Sequence, residues 1–541
     1  MRQFLIIAFT LALLVFQDAT PHCYGAEAQD NADIELILVT AAGPSLVRLK
    51  VAVDRTPVTE AWEKAFAEIH YFFDRDGNGS LDRQEVSGRL LSDFVMRQWA
   101  WGQFTPTSGR TPQWDAIDQD RSGEVSVEEL SGYYRSRGLG RGVITIGYPA
   151  WTLQLTEALV RIVDTDSDGT TTRQEWENIG HLLKQHDANG DDLIGPGELV
   201  LQAVYPGASG SILLNPTSLD RYDSEQFQRL PALVPEPSDI SPVWPKELLR
   251  RLDANGNLAL SLSESGMDSQ LFTKLDGNHD QALSISEIAH WRDLADAKPI
   301  TVAFSDNTAI VSVADQADGM PEANLPYRLL KDGLQLSLMS SPGNARGEQI
   351  AAEKRLSAQF DSIDADKDGR ATSEEIANSN LLEFARMKTI ADRDGDGVLV
   401  REEFDAWINC HQAVAEAHVF VTILSYGQGL FELLDRDRNG GLSSSELLAA
   451  PSILEEADAL DVNGTLATSQ LPHQLHVVVS RGMPARLLSG TTTRAPDWFA
   501  AMDRNQDGSI SRKEFLGSEE QFTRLDKDGS RSISVLEADC Q

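Results

Sequence analysis

The stretch DRDGDGVLVREE, from Asp392 to Glu403, decides how the rest of the chain is interpreted. Asp392, Asp394 and Asp396 place a carboxylate at every second residue, Gly397 stands sixth and Glu403 stands twelfth. This spacing supplies side-chain oxygens at positions 1, 3, 5 and 12, a main-chain carbonyl at position 7 and a glycine for a sharp turn at position 6. Ca²⁺ is a hard cation that binds roughly six to eight oxygens, so the stretch predicts a loop that wraps around this ion.

The same array recurs along the chain. The strict form, with glycine at position 6, begins at six places: Asp74, Asp164, Asp364, Asp392, Asp435 and Asp503. A seventh copy, at Asp118, differs only in having Ser122 at position 5, and a hydroxyl is still an oxygen ligand. A chance match is expected at about 10⁻⁵ or less per position, so the recurrence is not accidental. The predicted ligands, with position 7 acting through its carbonyl, are Asp74, Asp76, Asn78, Ser80, Glu85; Asp118, Asp120, Ser122, Glu124, Glu129; Asp164, Asp166, Asp168, Thr170, Glu175; Asp364, Asp366, Asp368, Arg370, Glu375; Asp392, Asp394, Asp396, Val398, Glu403; Asp435, Asp437, Asn439, Gly441, Glu446; and Asp503, Asn505, Asp507, Ser509, Glu514.

Four further copies keep Asp at position 1 and Glu at position 12 but lack glycine at position 6. Their predicted ligands are Asp187, Asn189, Asp191, Glu198; Asp253, Asn255, Asn257, Glu264; Asp276, Asn278, Asp280, Glu287; and Asp526, Asp528, Ser530, Glu537. Three of these copies carry a glycine two residues earlier, which predicts a different turn: Gly190, Gly256 and Gly529. For all four, an acidic turn without metal remains the alternative. A worn copy near Asp461 has Ala459 at position 1 and Gln470 at position 12, and we interpret it as structural.

Composition narrows the possible partners. The chain has 541 residues, which is too long for one hydrophobic core, and 41% of them are hydrophobic, which argues against disorder. It carries 83 acidic and 47 basic residues, a net charge of −36. Nucleic acids and anionic membrane surfaces are therefore poor partners.

The N-terminus predicts export. Arg2 precedes an apolar run from Phe4 to Phe16, and Ala26-Glu27-Ala28 fits a cleavage site, so residues 1–28 are predicted to be a signal peptide. A buried N-terminal helix and a lipid anchor at Cys23 are the alternatives. The predicted location is secreted or extracytoplasmic, in a periplasm or at a cell surface, with no membrane span after signal removal. Cys410 and Cys540 would then remain, and two distant cysteines make no disulfide framework.

The hydrophobic pattern predicts a mainly α chain with small β elements, in which tandem helix–loop–helix pairs are interspersed with β-hairpins in several modules. Alternation of apolar and polar residues predicts a hairpin at 34–53. Apolar runs on both sides of Asp306-Asn307 predict a second hairpin at 300–313, and the run 475–479 with a turn at Arg481-Gly482 predicts a third. Shorter strands are predicted at 143–146 and 334–339. The predicted segments are 29–204 (hairpin, loops at 74, 118, 164, 187), 205–245 (linker), 246–298 (loops at 253, 276), 299–470 (hairpin, loops at 364, 392, 435, worn copy) and 471–541 (hairpin, loops at 503, 526).

These loops resemble those of the EF-hand superfamily, and the chain resembles large secreted bacterial multi-EF-hand calcium-binding proteins. The resemblance implies helix–loop–helix units packed in pairs, with the residues at position 8 meeting in a short antiparallel bridge. The implied bridges are Leu81 with Val125, Thr171 with Ile194, Leu260 with Leu283, Ala371 with Leu399, Leu442 with Leu466, and Ile510 with Ile533. Where two loops start only 23 residues apart, two full helices do not fit, so shortened or shared helices are expected.

The sequence therefore predicts an exported protein that binds calcium ions and acts as a Ca²⁺-stabilised scaffold or interaction protein without catalysis. Another protein or a cell-surface component is the candidate partner. One alternative is a calcium-responsive regulator that exposes an apolar groove, although only eight Met residues argue against it. Another is an enzyme with accessory calcium modules, although the chain has no G-x-S-x-G, H-E-x-x-H or Walker motif. Cys410 and Trp99 are expected in the core.

Overall fold

The period-two segments of the sequence form two large sheets, which the computed structural model places at the centre of the protein. The structure describes residues 33–40, 42–105, 107–203, 213–214, 228–235, 243–297, 299–305, 308–313, 326–379, 381–484, 496–504, 509–527, 532–534 and 537–538. The predicted signal peptide and most of the predicted linker lie outside these residues. Among the described residues, no helix has both the length and the apolar character needed to cross a membrane.

The strands come from widely separated parts of the chain. They are β1 (Ile34–Thr40), β2 (Gly43–Val53), β3 (Thr56–Pro57), β4 (Gly142–Gly147), β5 (Leu213–Leu214), β6 (Ala232–Leu233), β7 (Pro299–Ser305), β8 (Thr308–Val313), β9 (Tyr327–Lys331), β10 (Leu334–Ser341), β11 (Arg370–Ala371), β12 (Leu399–Val400), β13 (Val419–Gly427), β14 (His473–Ser480), β15 (Ser509–Ser511) and β16 (Ser532–Ser534). Within the described residues, the first six-stranded sheet has the order β6-β1-β2-β7-β8 with β3 beside β2, and the second has the order β5-β4-β13-β14-β10-β9. Two-stranded sheets join β11 to β12 and β15 to β16.

The helices flank the acidic loops. They are α1 (Val58–Phe73), α2 (Arg83–Val86), α3 (Asp93–Ala100), α4 (Trp114–Ile117), α5 (Val127–Ser136), α6 (Thr152–Val163), α7 (Arg173–Trp176), α8 (Ile179–Leu183), α9 (Pro196–Leu199), α10 (Val243–Leu252), α11 (Leu262–Ser265), α12 (Ser269–Leu275), α13 (Ile285–Ala289), α14 (Trp291–Leu294), α15 (Ala345–Ile363), α16 (Ser373–Ser379), α17 (Leu382–Ala391), α18 (Arg401–Ala417), α19 (Leu430–Leu434), α20 (Ser444–Glu456), α21 (Asp497–Met502) and α22 (Glu519–Leu525), with 3₁₀ turns at Lys184–His186 and Thr468–Gln470. As expected, the helices between loops spaced by 23 residues are short.

The prediction of a mainly α chain with small β elements is wrong, because the fold is mixed α and β. The predicted hairpins at 34–53 and 300–313 are confirmed as antiparallel pairs β1/β2 and β7/β8. Parallel pairing then joins β2 to β7, β10 to β14 and β4 to β13, so isolated hairpin signals merge into two sheets. The limits of the predicted segments stay a prediction, but these hydrogen bonds cross several of them.

The predicted third hairpin near residue 480 is wrong. Strand β14 instead pairs antiparallel with β13 and parallel with β10, one on each side. Seven of its eight residues are buried, so its backbone groups need partners on both edges, which two long strands provide. Beyond the strand, the carbonyl of Arg481 accepts the backbone N–H of Ala345, and the chain therefore continues toward α15 rather than turning back.

The two large sheets pack face to face around one apolar core. The first sheet contributes Leu36 and Leu49, and the second contributes Leu336, Val421 and Val477, all buried. Side chains alternate between the two faces of a strand. The neighbouring residues therefore point away from this core and pack against the helices.

Four further apolar clusters contain the acidic loops. Ile37 of the first sheet packs with α10 and the loops at 253 and 276. Phe420 of the second sheet packs with the loops at 74, 118, 364 and 392. Leu424 and Val478 pack with the loops at 164, 187 and 435, and the loops at 503 and 526 share a small cluster of their own. Trp99 and Cys410 are buried in the core, as predicted. The two sheets thus support the loops from 74 to 435, whereas the loops at 503 and 526 pack with each other.

Candidate metal centres

The loop at Asp74 shows how the acidic stretches fold. Helix α1 ends at Phe73, and Asp74 then accepts the backbone N–H of Gly77 (2.8 Å) and of Gly79 (2.9 Å) on its two oxygens. Glu85 accepts the N–H of Arg75 (2.6 Å) through Oε1 and that of Asp82 (2.9 Å) through Oε2. The backbone therefore orients the carboxylates at positions 1 and 12 toward the centre of the loop before any ion is considered.

The same frame recurs in the other described loops. The N–H of position 6 donates to the aspartate at position 1 over 2.9 to 3.2 Å in the loops that begin at Asp118, Asp164, Asp187, Asp253, Asp276, Asp364, Asp392 and Asp435. Positions 4 and 6 are left-handed throughout, with φ from 59° to 74° at position 4 and from 64° to 94° at position 6. The two left-handed residues bend the backbone of each loop around the aspartate at position 1, so the acidic side chains lie inside the loop.

The variant loops use this frame as well, so the prediction of a different turn is wrong. Leu258 at position 6 has φ of 65°, and its N–H donates to Asp253 over 2.9 Å. Gly190 and Gly256 occupy position 4, which is left-handed in every described loop and is not a replacement for position 6. A left-handed conformation costs a residue with a Cβ roughly 1–2 kcal/mol, and Leu258 bears this cost while 75% of its surface is exposed. Gly529 lies outside the described residues.

In five of the loops, the carboxylates are close enough to share one cation. Ligand atoms within 4.8 Å of one another are found in these groups: Asp74, Asp76, Glu85; Asp118, Asp120, Glu129; Asp164, Asp166, Asp168; Asp364, Asp366, Glu375; and Asp392, Asp394, Glu403. Like charges at this distance repel each other unless a cation lies between them. The donor set is all oxygen, which suits a hard divalent ion such as Ca²⁺.

Asp118 gives an independent test of this fit. Its Oδ2 accepts the N–H of Gly123 (3.2 Å) and the indole Nε1–H of Trp114 (2.9 Å). Its Oδ1 is buried and has no hydrogen-bond partner among the described residues. A buried carboxylate oxygen without a partner is costly, and a cation in the loop would satisfy it.

The loop at Asp435 is the most deeply buried of the set. Burial raises the pKa of Asp435 to about 7, with a further contribution from the charge of Glu446. Burial likewise raises the pKa of Glu446 to about 8, with a further contribution from Asp437. Arg438, at position 4 and also buried, points away from the acidic centre and donates to Ser337 and Gln474 on the second sheet. The loop is therefore attached to the sandwich, with its carboxylates held in an apolar setting.

Four of the six implied β-bridges are confirmed. Leu81 pairs with Val125 and Leu260 pairs with Leu283 as single bridges. Ala371 pairs with Leu399 in β11/β12, and Ile510 pairs with Ile533 in β15/β16.

The other two bridges exchange partners. Ile194 and Leu442 hydrogen-bond to each other in both directions at 3.0 Å, whereas Leu466 donates to the carbonyl of Thr171 over 2.8 Å. The loop at 187 therefore pairs with the loop at 435, and the loop at 164 pairs with the worn copy, so the predicted bridges Thr171–Ile194 and Leu442–Leu466 are wrong. The worn copy acts as a β partner.

The chain after position 12 follows different paths in two of the pairs. In the pair at 253 and 276, Gly266 ends α11 with φ of 60°, and the neighbouring loops meet. At the corresponding place after the loop at 164, Glu177 is right-handed helical (φ −61°, ψ −22°), and the chain continues into α8. The loops at 164 and 187 take partners from the other half of the chain.

The last pair of loops is only partly described. Glu514 accepts the N–H of Arg504 (3.0 Å) and of Ser511 (2.9 Å), which repeats the position-12 geometry. Glu537 accepts the N–H of Lys527 over 2.7 Å. The predicted ligands Asn505, Asp507, Asp528 and Ser530 lie outside the described residues.

A reciprocal pair of arginines links two loops and was missed by sequence reasoning. Arg75, at position 2 of the loop at 74, donates to the carbonyl of Asp392 over 2.8 Å. Arg393, at position 2 of the loop at 392, donates to the carbonyls of Asp74 and Tyr71 and lies 4.8 Å from the centre of the Tyr71 ring. The signal in the sequence was the identical DRDG start of both loops.

Comparison with known proteins supports this description. A family model described as EF hand matches two segments, residues 115–131 and 497–516. Together with the loop geometry, the two matches support EF-hand membership and suggest binding of a divalent metal, typically Ca²⁺. No significant match was found among curated proteins or among solved structures.

Proposed function

We propose that this protein is an exported, non-enzymatic calcium-binding scaffold whose folded state is stabilised by Ca²⁺. The observation that carries the proposal is the pairing of loops from distant parts of the chain, Ile194 with Leu442 and Thr171 with Leu466. An ion in these loops fixes the ends of helices that belong to different halves of the sequence. Calcium outside cells is abundant, so sites with Kd of about 10⁻⁴–10⁻³ M would fill there.

The charge of the chain supports the same function. Eleven filled loops would add 22 positive charges to the net charge of −36, which leaves −14. Self-repulsion between loops would fall accordingly. A scaffold whose loops always hold calcium benefits from this reduced repulsion, whereas a sensor that binds calcium only transiently must fold without it.

The decisive experiment combines native mass spectrometry with melting of the mature chain. Across a calcium titration we expect stepwise uptake of several ions, with a rise in melting temperature and in resistance to protease. Magnesium at the same ionic strength is the control, because it prefers a smaller octahedral site. Equal melting temperatures and equal protease resistance with calcium and with chelator would refute the proposal.

One observation favours a calcium-responsive binder as a second candidate. A groove of about 560 Å³ runs between α1 and α18, and Tyr71, Phe72, Arg393 and Ala413 line it. Since Arg393 also contacts the loop at 74, the occupancy of the loops could change the shape of the groove. Hydrogen exchange of α1 and α18 with and without calcium tests this candidate, because a groove that opens on loading exchanges faster in calcium.

A further inference from the structure

A cavity of about 80 Å³ lies where β9 and β10 meet α19 and α20, beside the loop at Asp435 but without a loop carboxylate in its lining. Its walls are Leu330, Leu433 and Ile453, and two guanidinium groups and one carboxylate lie at its edge: Arg328, Arg436 and Glu456. Apolar walls with cationic groups on one side are the usual composition of a small-molecule site.

The positive charge in this cavity is only partly neutralised. Arg328 is half-buried, and its guanidinium group has no hydrogen bond or ion pair with any described residue. Arg436 donates from Nη2 to Glu456 over 2.9 Å, but its Nε is buried and has no partner among the described residues. One carboxylate therefore faces two guanidinium groups.

The pKa of Arg328 reflects the positive charge around this cavity. Burial, together with the charges of Arg436 and Arg438, lowers the pKa of Arg328 to about 10, whereas Glu456 and Glu446 act in the opposite direction. A positive pocket is unexpected in a chain of net charge −36, and a cation with unused donors in a half-buried place requires an anion.

We propose that this cavity binds a small oxyanion, such as a carboxylate or a phosphate-type group, between Arg328 and Arg436. A guanidinium group presents its N–H donors in a fixed fork that matches two oxygens of such an anion. The apolar walls exclude water and strengthen both contacts. The volume holds one such group with little attached to it.

The proposed anion site also adjoins a calcium loop. Arg436 is position 2 of the loop at Asp435, and its backbone N–H donates to Oε1 of Glu446 over 2.6 Å. An ion in the loop would fix this stretch of backbone and the guanidinium group with it. We therefore expect calcium to strengthen anion binding; this coupling depends on the proposed function, whereas the anion site itself does not.

Calorimetric titration of the full chain in a chloride buffer tests the site. Sulfate serves as the phosphate-type probe, since phosphate would precipitate calcium, and butyrate serves as the organic carboxylate. We expect saturable binding to one site by at least one probe, and the tighter probe identifies the natural source of the oxyanion. Absence of saturable binding by both probes would overturn the proposal.

Three variants locate the site. Arg328→Gln should weaken binding on the order of tenfold, because it removes a charge-assisted pair of hydrogen bonds. Glu456→Gln should strengthen binding, because it releases Arg436 from its competing carboxylate. Arg346→Gln, which alters an arginine that contacts Asp54 and does not line the cavity, is the matched control and should leave the affinity unchanged.

The opposite signs keep the test decisive if one variant folds poorly. A misfolded Arg328→Gln chain would also bind weakly, but misfolding cannot explain a gain of affinity in Glu456→Gln. Unchanged affinity in both variants would place any bound anion elsewhere and refute the assignment. Equal affinity in calcium and in chelator would refute the coupling and leave the anion site standing.

Discussion

Replacing Glu446 by Gln tests whether the most deeply buried loop, the loop at Asp435, binds calcium. The substitution keeps the volume of the side chain but removes the charge and the two-oxygen ligand at position 12 of the loop at Asp435. Asp435 is fully buried and Glu446 is 7% exposed, so water can hardly replace the lost ligand. At millimolar calcium, a site with Kd of about 10⁻⁵ M contributes about 2.7 kcal/mol to the free energy of unfolding, and the variant should lose most of it.

The assay is thermal unfolding of the native chain and the variant in calcium and in chelator. In calcium, Glu446→Gln should melt lower by roughly 5 °C, which is the shift that about 2.7 kcal/mol gives in a large domain. In chelator, the variant should melt at the same temperature as the native chain or higher, because it no longer buries a carboxylate without a counter-ion. Glu157→Gln, an exposed acidic residue on α6 in the same cluster, makes the same charge change and should melt like the native chain. An unchanged melting temperature in calcium for Glu446→Gln would refute the assignment of this loop as a metal site.

Three further outcomes are expected. Arg393→Ala removes the hydrogen bonds to the carbonyls of Tyr71 and Asp74, so the free energy of unfolding of the calcium-loaded chain, measured in urea, should fall by about 2 kcal/mol. Calcium binding at the loops at 74 and 392 should also become less cooperative. An unchanged urea midpoint would contradict the link between the two loops. Leu258→Gly removes left-handed strain at an exposed position and should stabilise the loop at 253 by up to about 1 kcal/mol. As a control, Leu262→Gly changes an exposed helical residue on α11 and should destabilise the chain. Burial lowers the pKa of His411 to about 4, so the unfolded chain takes up a proton below pH 6.5 that the folded chain cannot accept, and stability should fall by roughly 2–3 kcal/mol between pH 6.5 and 4.5. His411→Phe should reduce that loss relative to the native chain in calcium, and an equal loss in both chains would show that other groups are responsible.

The loops could be predicted from the sequence because their information is local. Twelve consecutive residues contain the ligands, the turn and the start of the following helix, and the same hydrogen bonds recur in the nine loops from 74 to 435, which the structure describes in full. Even the variant loops obey it, since Leu258 adopts the backbone that glycine adopts elsewhere. Where the sequence reasoning erred, by expecting an early glycine to build another turn, it treated position 4 as special although that position is left-handed in every described loop.

The assembly of the sheets and two of the bridges could not be predicted in this way. The apolar run of strand β14 is the same whether the strand forms a hairpin or joins β13 and β10, so the run identifies a strand without identifying its neighbours. Ile194 of the loop at 187 was predicted to pair with Thr171 and pairs with Leu442 instead. This change of partner depends on whether the chain reverses after position 12. Gly266 gives that reversal in one pair and Glu177 does not in another, and this contrast is visible only when the two are compared.

The bridge between Ile194 and Leu442 has a consequence for how the chain matures. A polypeptide is synthesised from its N-terminus, so Ile194 is made long before the segment around Leu442 with which it pairs. Until the segment around Leu442 arrives, that edge has open hydrogen-bonding groups and invites pairing with another copy of the chain. Vectorial synthesis therefore leaves Ile194 unpaired until the second half of the chain is made, and interruption between the two halves would yield a fragment prone to aggregation.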